Sequence, residues 1–338
     1  MRIATYNVRW FDHLFDDAGR LLDDDGPSAR LGVSRARQAA AIGAVLGAIN
    51  ADAVMVIEAP DTRKGGRDGL LALETFAARS NLRARRALTG FPSGTQQEIS
   101  LLFDPDALAA RHDPQGGGQE DPPRFDALFL HDIEGDGRLA PIAWARPPLE
   151  VAVRTASGAH MRLIGVHAKS KAPHGARDAA QAVRIGVENR RKQLAQCLWL
   201  RARVERHLAA GDALVVLGDF NDGPGQDAIE AQFGRSGVEI VLGEGTATRL
   251  LDPHARVGRS RRGPPPRSAR FRDPSGVPGV WLDAMLDFAM ISPDLCAKAP
   301  RWRIWHPHDD PACAADPALR AALLDASDHF PVTLDLSP

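Results

Sequence analysis

The chain has 338 residues, 44% of them apolar and 25% charged, a globular composition that excludes a low-hydrophobicity disordered polymer. Forty-two Lys and Arg stand against 43 Asp and Glu, and a formal net charge of −1 excludes a uniformly basic nucleic-acid coat. Cys197, Cys296 and Cys313 are isolated and without CxxC spacing, which argues against a disulfide framework or a thiolate zinc site and for a reducing compartment.

The opening MRIATYNVRWF carries no apolar run of signal-peptide length, and no later stretch approaches the ~18 apolar residues of a membrane span. The expectation is a cytoplasmic protein with no stable membrane insertion. Length alone permits two domains. No long linker divides the chain, so one domain over residues 1–338 is expected.

The first element is a strand over residues 2–8, rich in β-formers, followed by a polar, Asp-rich loop over 12–27. Residues 34–50 carry Ile42, Val45, Leu46 and Ile49 at helical spacing and end at Asn50. The run 53–57 is continuously apolar, as in a strand buried on both faces, and delivers Glu58 at its end. A helix is predicted over 68–79. Strands are predicted over 99–103, 125–130, 142–145 and 149–153, separated by Gly, Pro and Asp turns that favour antiparallel pairing, and another over 161–166 leads into His167.

The longest helical pattern covers 177–208, and the buried strand 213–217 runs into Gly218 and Asp219. Residues 256–272 contain seven arginines, no acid and Pro264-Pro265-Pro266, so an Arg/Pro-rich loop is expected over about 252–280. A strand over 286–291 follows, 306–317 reads as a surface excursion, and Asp328-His329 precedes a last strand over 331–336.

Asn7 with Arg9, Glu58, His167, Asp219 with Asn221, and Asp328 with His329 share one placement, at or just past the end of an apolar run or beside the closing strand. Phosphate-ester chemistry needs a divalent cation on oxygen ligands, a positioned water, and cationic or amide groups for the phosphoryl oxygens. A Glu, Asp, Asn and His set without Cys supplies these and suits Mg²⁺ or Mn²⁺.

On these residues the sequence resembles the endonuclease/exonuclease/phosphatase superfamily, which includes pancreatic deoxyribonuclease. ATYNVR at residues 4–9, Glu58, GVHAKSK at 165–171, LGDFND at 217–222, LDFAMIS at 286–292 and SDHFPV at 327–332 match its motifs in order across the chain. The resemblance implies a four-layer α/β sandwich, two mostly antiparallel sheets packed face to face with helices outside. It implies metal-dependent phosphoester hydrolysis by in-line attack of water, with Glu58 as principal metal ligand and Asn7 and Asp328 completing the shell. Asp219 and Asn221 would contact the water or leaving group and the phosphate, His329 would act as base or phosphate contact oriented by Asp287, and His167 would stabilise the transition state.

The sequence departs from the family pattern in places. Ile57 stands where the family usually has an amide before the glutamate. Asp287 precedes Phe288 rather than His or Tyr, and Asp283 is a competing candidate for its role.

Arg9, Lys169, Lys171 and Arg190 are candidate phosphate contacts, with Arg190 to Gln193 fitting the family's Arg-Arg-x-Gln spacing. The Arg-rich segment with Phe271 and Trp281 could hold a polyanion by phosphate contact and stacking. Three functions remain open: a nuclease on DNA or RNA, a phosphatase or phosphodiesterase acting on a small metabolite or lipid headgroup, and a catalytically silent binding module.

Overall fold

The computed structural model describes residues 1–62, 66–118, 121–132, 136–223, 234–255, 265–272 and 280–337. In chain order the elements are β1 (Arg2–Asn7), α1 (Arg35–Ile49), β2 (Ala53–Ala59), α2 (Gly69–Arg79), β3 (Arg86–Thr89), β4 (Glu98–Phe103) and β5 (Leu108–His112). Then come β6 (Phe129–His131), β7 (Ala140–Ile142), β8 (Leu149–Thr155), β9 (His160–His167), α3 (Ala179–Ala210), β10 (Leu214–Asp219) and α4 (Gly237–Leu242). The chain closes with β11 (Ala269–Arg272), β12 (Trp281–Ala284), β13 (Asp287–Ile291), β14 (Arg301–Ile304), α5 (Pro311–Ala315), α6 (Pro317–Ala326) and β15 (Val332–Asp335).

Two large sheets carry the fold. One has six strands in the order β14-β15-β1-β2-β4-β3, the other five in the order β13-β10-β9-β8-β5. Each has one parallel pair at its centre, β1 with β2 and β9 with β10, and antiparallel pairs around it. The apolar runs are continuous because both faces of the central strands are covered. Successive side chains alternate between faces. Ile3, Met55, Leu163 and Val215 point into a core between the sheets. Ala4 and Val54 pack outward with α1, α2 and α6, and Ile164 and Val216 pack outward with α3 and α4. The result is the expected four-layer sandwich.

Helix limits follow local chemistry. Ser34 caps α1 by accepting from the Arg37 N–H, and Asn50 ends it at φ 48°. Asp178 caps α3, which Gly211 ends at φ 75°. Gly165 on β9 faces the other sheet where a Cβ would lie 2.4 Å from the Met55 sulfur, so the absence of a side chain lets Met55 fill the core.

Several elements differ from expectation. Strands β3, β5 and β14 are short, and their pattern is masked by charged residues on their exposed positions. The predicted strand at 125–130 forms only over Phe129–His131, because Phe125 is buried against Trp199 from a loop instead. Predicted strand 142–145 gives way to β7, Ala140–Ile142. Helix α6 begins where a surface excursion was expected to end. Asp316 accepts from Ala318 and Leu319 N–H, Pro317 takes the first turn, and Leu323 and Ala326 bury against α1.

Within the Arg-rich segment, Ala269–Arg272 is a strand rather than loop, paired antiparallel with Trp281–Ala284. Of the rest of that predicted loop, residues 256–264 and 273–279 lie outside the described residues. Among the described residues no helix is long and apolar enough to cross a membrane.

Candidate active site

Strand register assembles the first half of the site. Asp219, the last residue of β10, pairs with His167 on parallel β9 and with Asp287 on antiparallel β13, so three predicted residues stand side by side in one row. Gly218 makes this possible. Its φ is +145°, and a Cβ there would lie 2.0 Å from the Val166 carbonyl oxygen. The turn after Asp219 folds back through Asn221, at φ 50°, whose N–H donates to Asp219 Oδ1 at 2.8 Å and whose Nδ2 donates to the Ala168 carbonyl at 3.1 Å. Gln193 on α3 donates to the Phe220 and Asn221 carbonyls at 3.1 and 3.0 Å.

The other sheet supplies the second half. Asn7 ends β1, and its Nδ2 crosses to Asp219 Oδ2 at 3.0 Å while lying 3.3 Å from Glu58 Oε1. Glu58 sits at an irregularity of β2 between Ile57 and Ala59, with φ 64°, and its Oε2 accepts from the Trp10 N–H at 2.7 Å. Of the described non-glycine residues with positive φ, Arg9, Trp10, Glu58 and Asn221 belong to this one place, and such strain persists only where surroundings enforce it. Asp328 enters from the start of the last strand. Ser327 Oγ anchors that turn on the Asn7 carbonyl at 2.7 Å, and Asp328 Oδ2 is ion-paired with Arg9 and lies 3.7 Å from Arg30.

The electrostatics separate the two histidines. His329 Nδ1 lies 2.9 Å from Asp287 Oδ2, and its Nε2 is 3.9 Å from Asp219 Oδ2. Burial disfavours its charge, yet Asp287 and Asp219 outweigh burial and raise its pKa to about 10. Burial, with the Asp287 charge, raises Asp219 to about 6 despite His329 and the hydrogen bonds from Asn221 and Asn7. His167 goes the opposite way. Burial, then the charges of Arg146 and His329, hold it well below the ordinary histidine range.

Asp287 is itself held by Ser268, whose Oγ donates to Asp287 Oδ2 at 2.7 Å and accepts from the Leu286 and Asp287 N–H at 3.0 and 2.9 Å. The competing Asp283 instead pairs with Arg267 at 2.6 Å on the outer hairpin.

Two arrangements of hard donors are present for a metal. Asp219, Asp287 and His329 each offer a ligand atom within 4.8 Å of one another. Glu58 lies on the far side of Asn7 from that group, and Asp328 Oδ1 is buried with no hydrogen-bond partner among the described residues. The charged His329 ring lies against the carboxylates of the first group, which disfavours a further cation there, while Asp287 Oδ1 is likewise buried with no hydrogen-bond partner among the described residues. Glu58 and Asp328 supply hard carboxylate oxygens for the second, where Asn7 presents its Nδ2 to Glu58 and its Oδ1 to the Arg9 N–H.

A cleft of about 530 Å³ opens over this end, lined by Arg9, Lys171, Arg190, Asn221, Phe271, Asp328 and His329 among others. Arg190 is buried on Asp222 at 2.9 Å, and Lys171 Nζ reaches the same carboxylate at 3.4 Å. The Lys169 N–H is fixed by Gln196 Oε1 at 2.9 Å. Trp281 stands two-fifths exposed on β12, with the guanidinium carbons of Arg270 and Arg272 at 5.4 and 5.7 Å from its ring centre.

Sequence reasoning missed Ser268, Arg30 and Arg146. Ser268 is hidden in the Arg-rich stretch, and each of the three reaches the site from a loop or element that no local pattern marks.

No family model and no curated protein sequence matches the chain. Solved structures do match. TDP2 from Caenorhabditis elegans superposes with a TM-score of 0.51 at 13% identity, over 100% of this chain and 74% of that one. A truncated form of the same worm protein gives 0.50 at 13%, over 100% and 97%. An endonuclease/exonuclease/phosphatase family protein from Bacteroides thetaiotaomicron gives 0.49 at 12%, over 99% and 96%. At such identities the likeness is one of fold, and function has to be argued from the site.

Proposed function

We propose that this chain, which has the fold of the endonuclease/exonuclease/phosphatase superfamily, is a divalent-metal-dependent phosphoester hydrolase, and specifically a phosphodiesterase cleaving DNA or RNA. The observation that carries the reading is the setting of Asp219 Oδ2. It lies 3.0 Å from the Asn7 amide, 3.6 Å from His167 Nε2 and 3.9 Å from Nε2 of His329, which lines the cleft. Two titratable groups whose environments push their pKa values apart divide acid from base. Asp219, raised to about 6, is a base poised for a water proton near neutral pH. His329, charged and oriented by Asp287, donates a hydrogen bond to a phosphoryl oxygen.

Glu58, with Asn7 and Asp328, would hold Mg²⁺ or Mn²⁺, which when bound supplies Lewis-acid polarisation of the phosphoryl group. Asn221, which lines the cleft with Asp328 and His329, would position the phosphate. Arg9 remains tied to Asp328 and faces the cleft, where it can meet a phosphate oxygen.

The nuclease reading is supported by the β11–β12 hairpin, which turns Phe271 into the cleft and carries Trp281 between Arg270 and Arg272. A second reading, a phosphodiesterase for a small metabolite or lipid headgroup, is favoured by the cleft volume of about 530 Å³, which suits a small ligand.

The test is metal-dependent hydrolysis of plasmid DNA, single-stranded RNA and bis-p-nitrophenyl phosphate in parallel, with Glu58→Ala as control. Nucleic-acid cleavage lost in the variant supports the first reading. Turnover of the small diester alone moves the substrate to the second, and no Glu58-dependent turnover of any substrate refutes the hydrolase assignment.

A further inference from the structure

We propose that Arg146 is a positioning residue that fixes the His167 ring in one neutral tautomer, with its proton on Nδ1 and its Nε2 lone pair taken by the guanidinium. The catalytic consequence rests on the hydrolase reading above; the state of the ring does not.

Arg146 Nη1 lies 2.9 Å from His167 Nε2 and donates to Gln97 Oε1 at 2.8 Å, while Nη2 donates to the Ala168 carbonyl at 3.0 Å. A guanidinium has five donors and no acceptor. The ring nitrogen facing it is therefore the acceptor, and the hydrogen of a neutral ring sits on Nδ1. His167 is only 3% exposed, and Nδ1 has no hydrogen-bond partner among the described residues. The opposite tautomer would set N–H against N–H at Nε2.

The arrangement is held rigidly. The segment before Arg146 is pinned by Gly94 N–H on the Ala145 carbonyl at 2.7 Å and by Gln196 Nε2 on the Ala143 carbonyl at 3.1 Å. Asn221 Nδ2 shares the Ala168 carbonyl with Arg146, which links the guanidinium to the turn that aims Asp219.

The ring fixed in this way stands beside Asp219, its Nε2 3.6 Å from Asp219 Oδ2, so its orientation sets the geometry on that side of the carboxylate.

The test uses the full chain labelled with [¹⁵N]histidine. Two-bond ¹H–¹⁵N correlation reads the tautomer of His167, assigned by loss of its signals in His167→Gln. The wild type is expected to show Nδ1 protonated and Nε2 bare, and Arg146→Met to move the proton to Nε2 or share it between both nitrogens. Arg146→Lys, which keeps a donor and the charge, is expected to hold the wild-type tautomer, and if the Met variant fails to fold the wild-type ring spectrum still decides where the proton sits.

In turnover of bis-p-nitrophenyl phosphate with Mg²⁺, Arg146→Met is expected to lose at least ~100-fold in kcat with little change in KM, and Arg146→Lys to recover part of the loss. A wild-type ring protonated at Nε2, or a tautomer unchanged in Arg146→Met, overturns the proposal. If the wild type turns over no diester, the hydrolase reading fails while the ring spectra still decide the role of Arg146.

Discussion

Replacing Asp287 by Asn keeps the side-chain shape and removes the charge 2.9 Å from His329 Nδ1. The rise of His329 from the ordinary 6.5 to about 10 corresponds to roughly 5 kcal/mol favouring the charged ring, at ~1.4 kcal/mol per pKa unit. Asp287 contributes both the largest attraction and a hydrogen bond, with Asp219 at 3.9 Å supplying most of the rest, so about 3 kcal/mol should go with the substitution. His329 should then titrate roughly two pKa units lower than in the wild type, at ~1.4 kcal/mol per unit, with the remaining elevation left to Asp219.

The sign of the linked stability follows. A histidine raised on folding stabilises fully below about 6.5 and loses that contribution as pH climbs through about 10. Melting temperatures measured from pH 6 to pH 10.5 with EDTA present should therefore fall across this window in the wild type and stay much flatter in Asp287→Asn. An NMR titration of the ring gives the pKa directly. A wild-type His329 that titrates near 6.5, or a variant with the same pH dependence, would refute the reasoning.

Gly218→Ala should destabilise by at least ~3 kcal/mol in chemical denaturation, because the new methyl meets the Val166 backbone oxygen at 2.0 Å and backbone cannot step aside. The ion pair of Arg67 with Asp12 is fully buried on both sides, so Arg67→Met, which removes the buried guanidinium from that carboxylate, should cost ~3–5 kcal/mol by the same assay. Ser268→Ala should cost ~1–3 kcal/mol by stranding the Leu286 and Asp287 N–H groups, and should lower kcat about 10-fold through loss of Asp287 orientation. A Ser268→Ala variant with undiminished kcat would remove Ser268 from the support of Asp287.

The sandwich was legible in the sequence because its central strands announce themselves. Residues 53–57 and 213–217 are continuous apolar runs of strand length, as a strand covered on both faces makes them. Their ends place Glu58 and Asp219 by chain order alone, and the motifs around Asn7, His167 and His329 name the other polar residues. Short edge strands and α6 were not legible, since exposed charge or an Asp-Pro start hides the period that local patterning depends on.

What only tertiary structure decided is how those residues meet. Register across three strands puts Asp219 between His167 and Asp287, and the close packing at Gly218 sets how near they come. The left-handed backbone at Glu58 turns its carboxylate toward Asn7, a conformation no side-chain pattern encodes. Ser268 and Arg146 are recruited from positions 19 residues before Asp287 and 21 before His167, and their roles arise from contact rather than sequence spacing. Charge and burial in that assembled site, not residue type, then make one histidine a cation and the other a neutral ring.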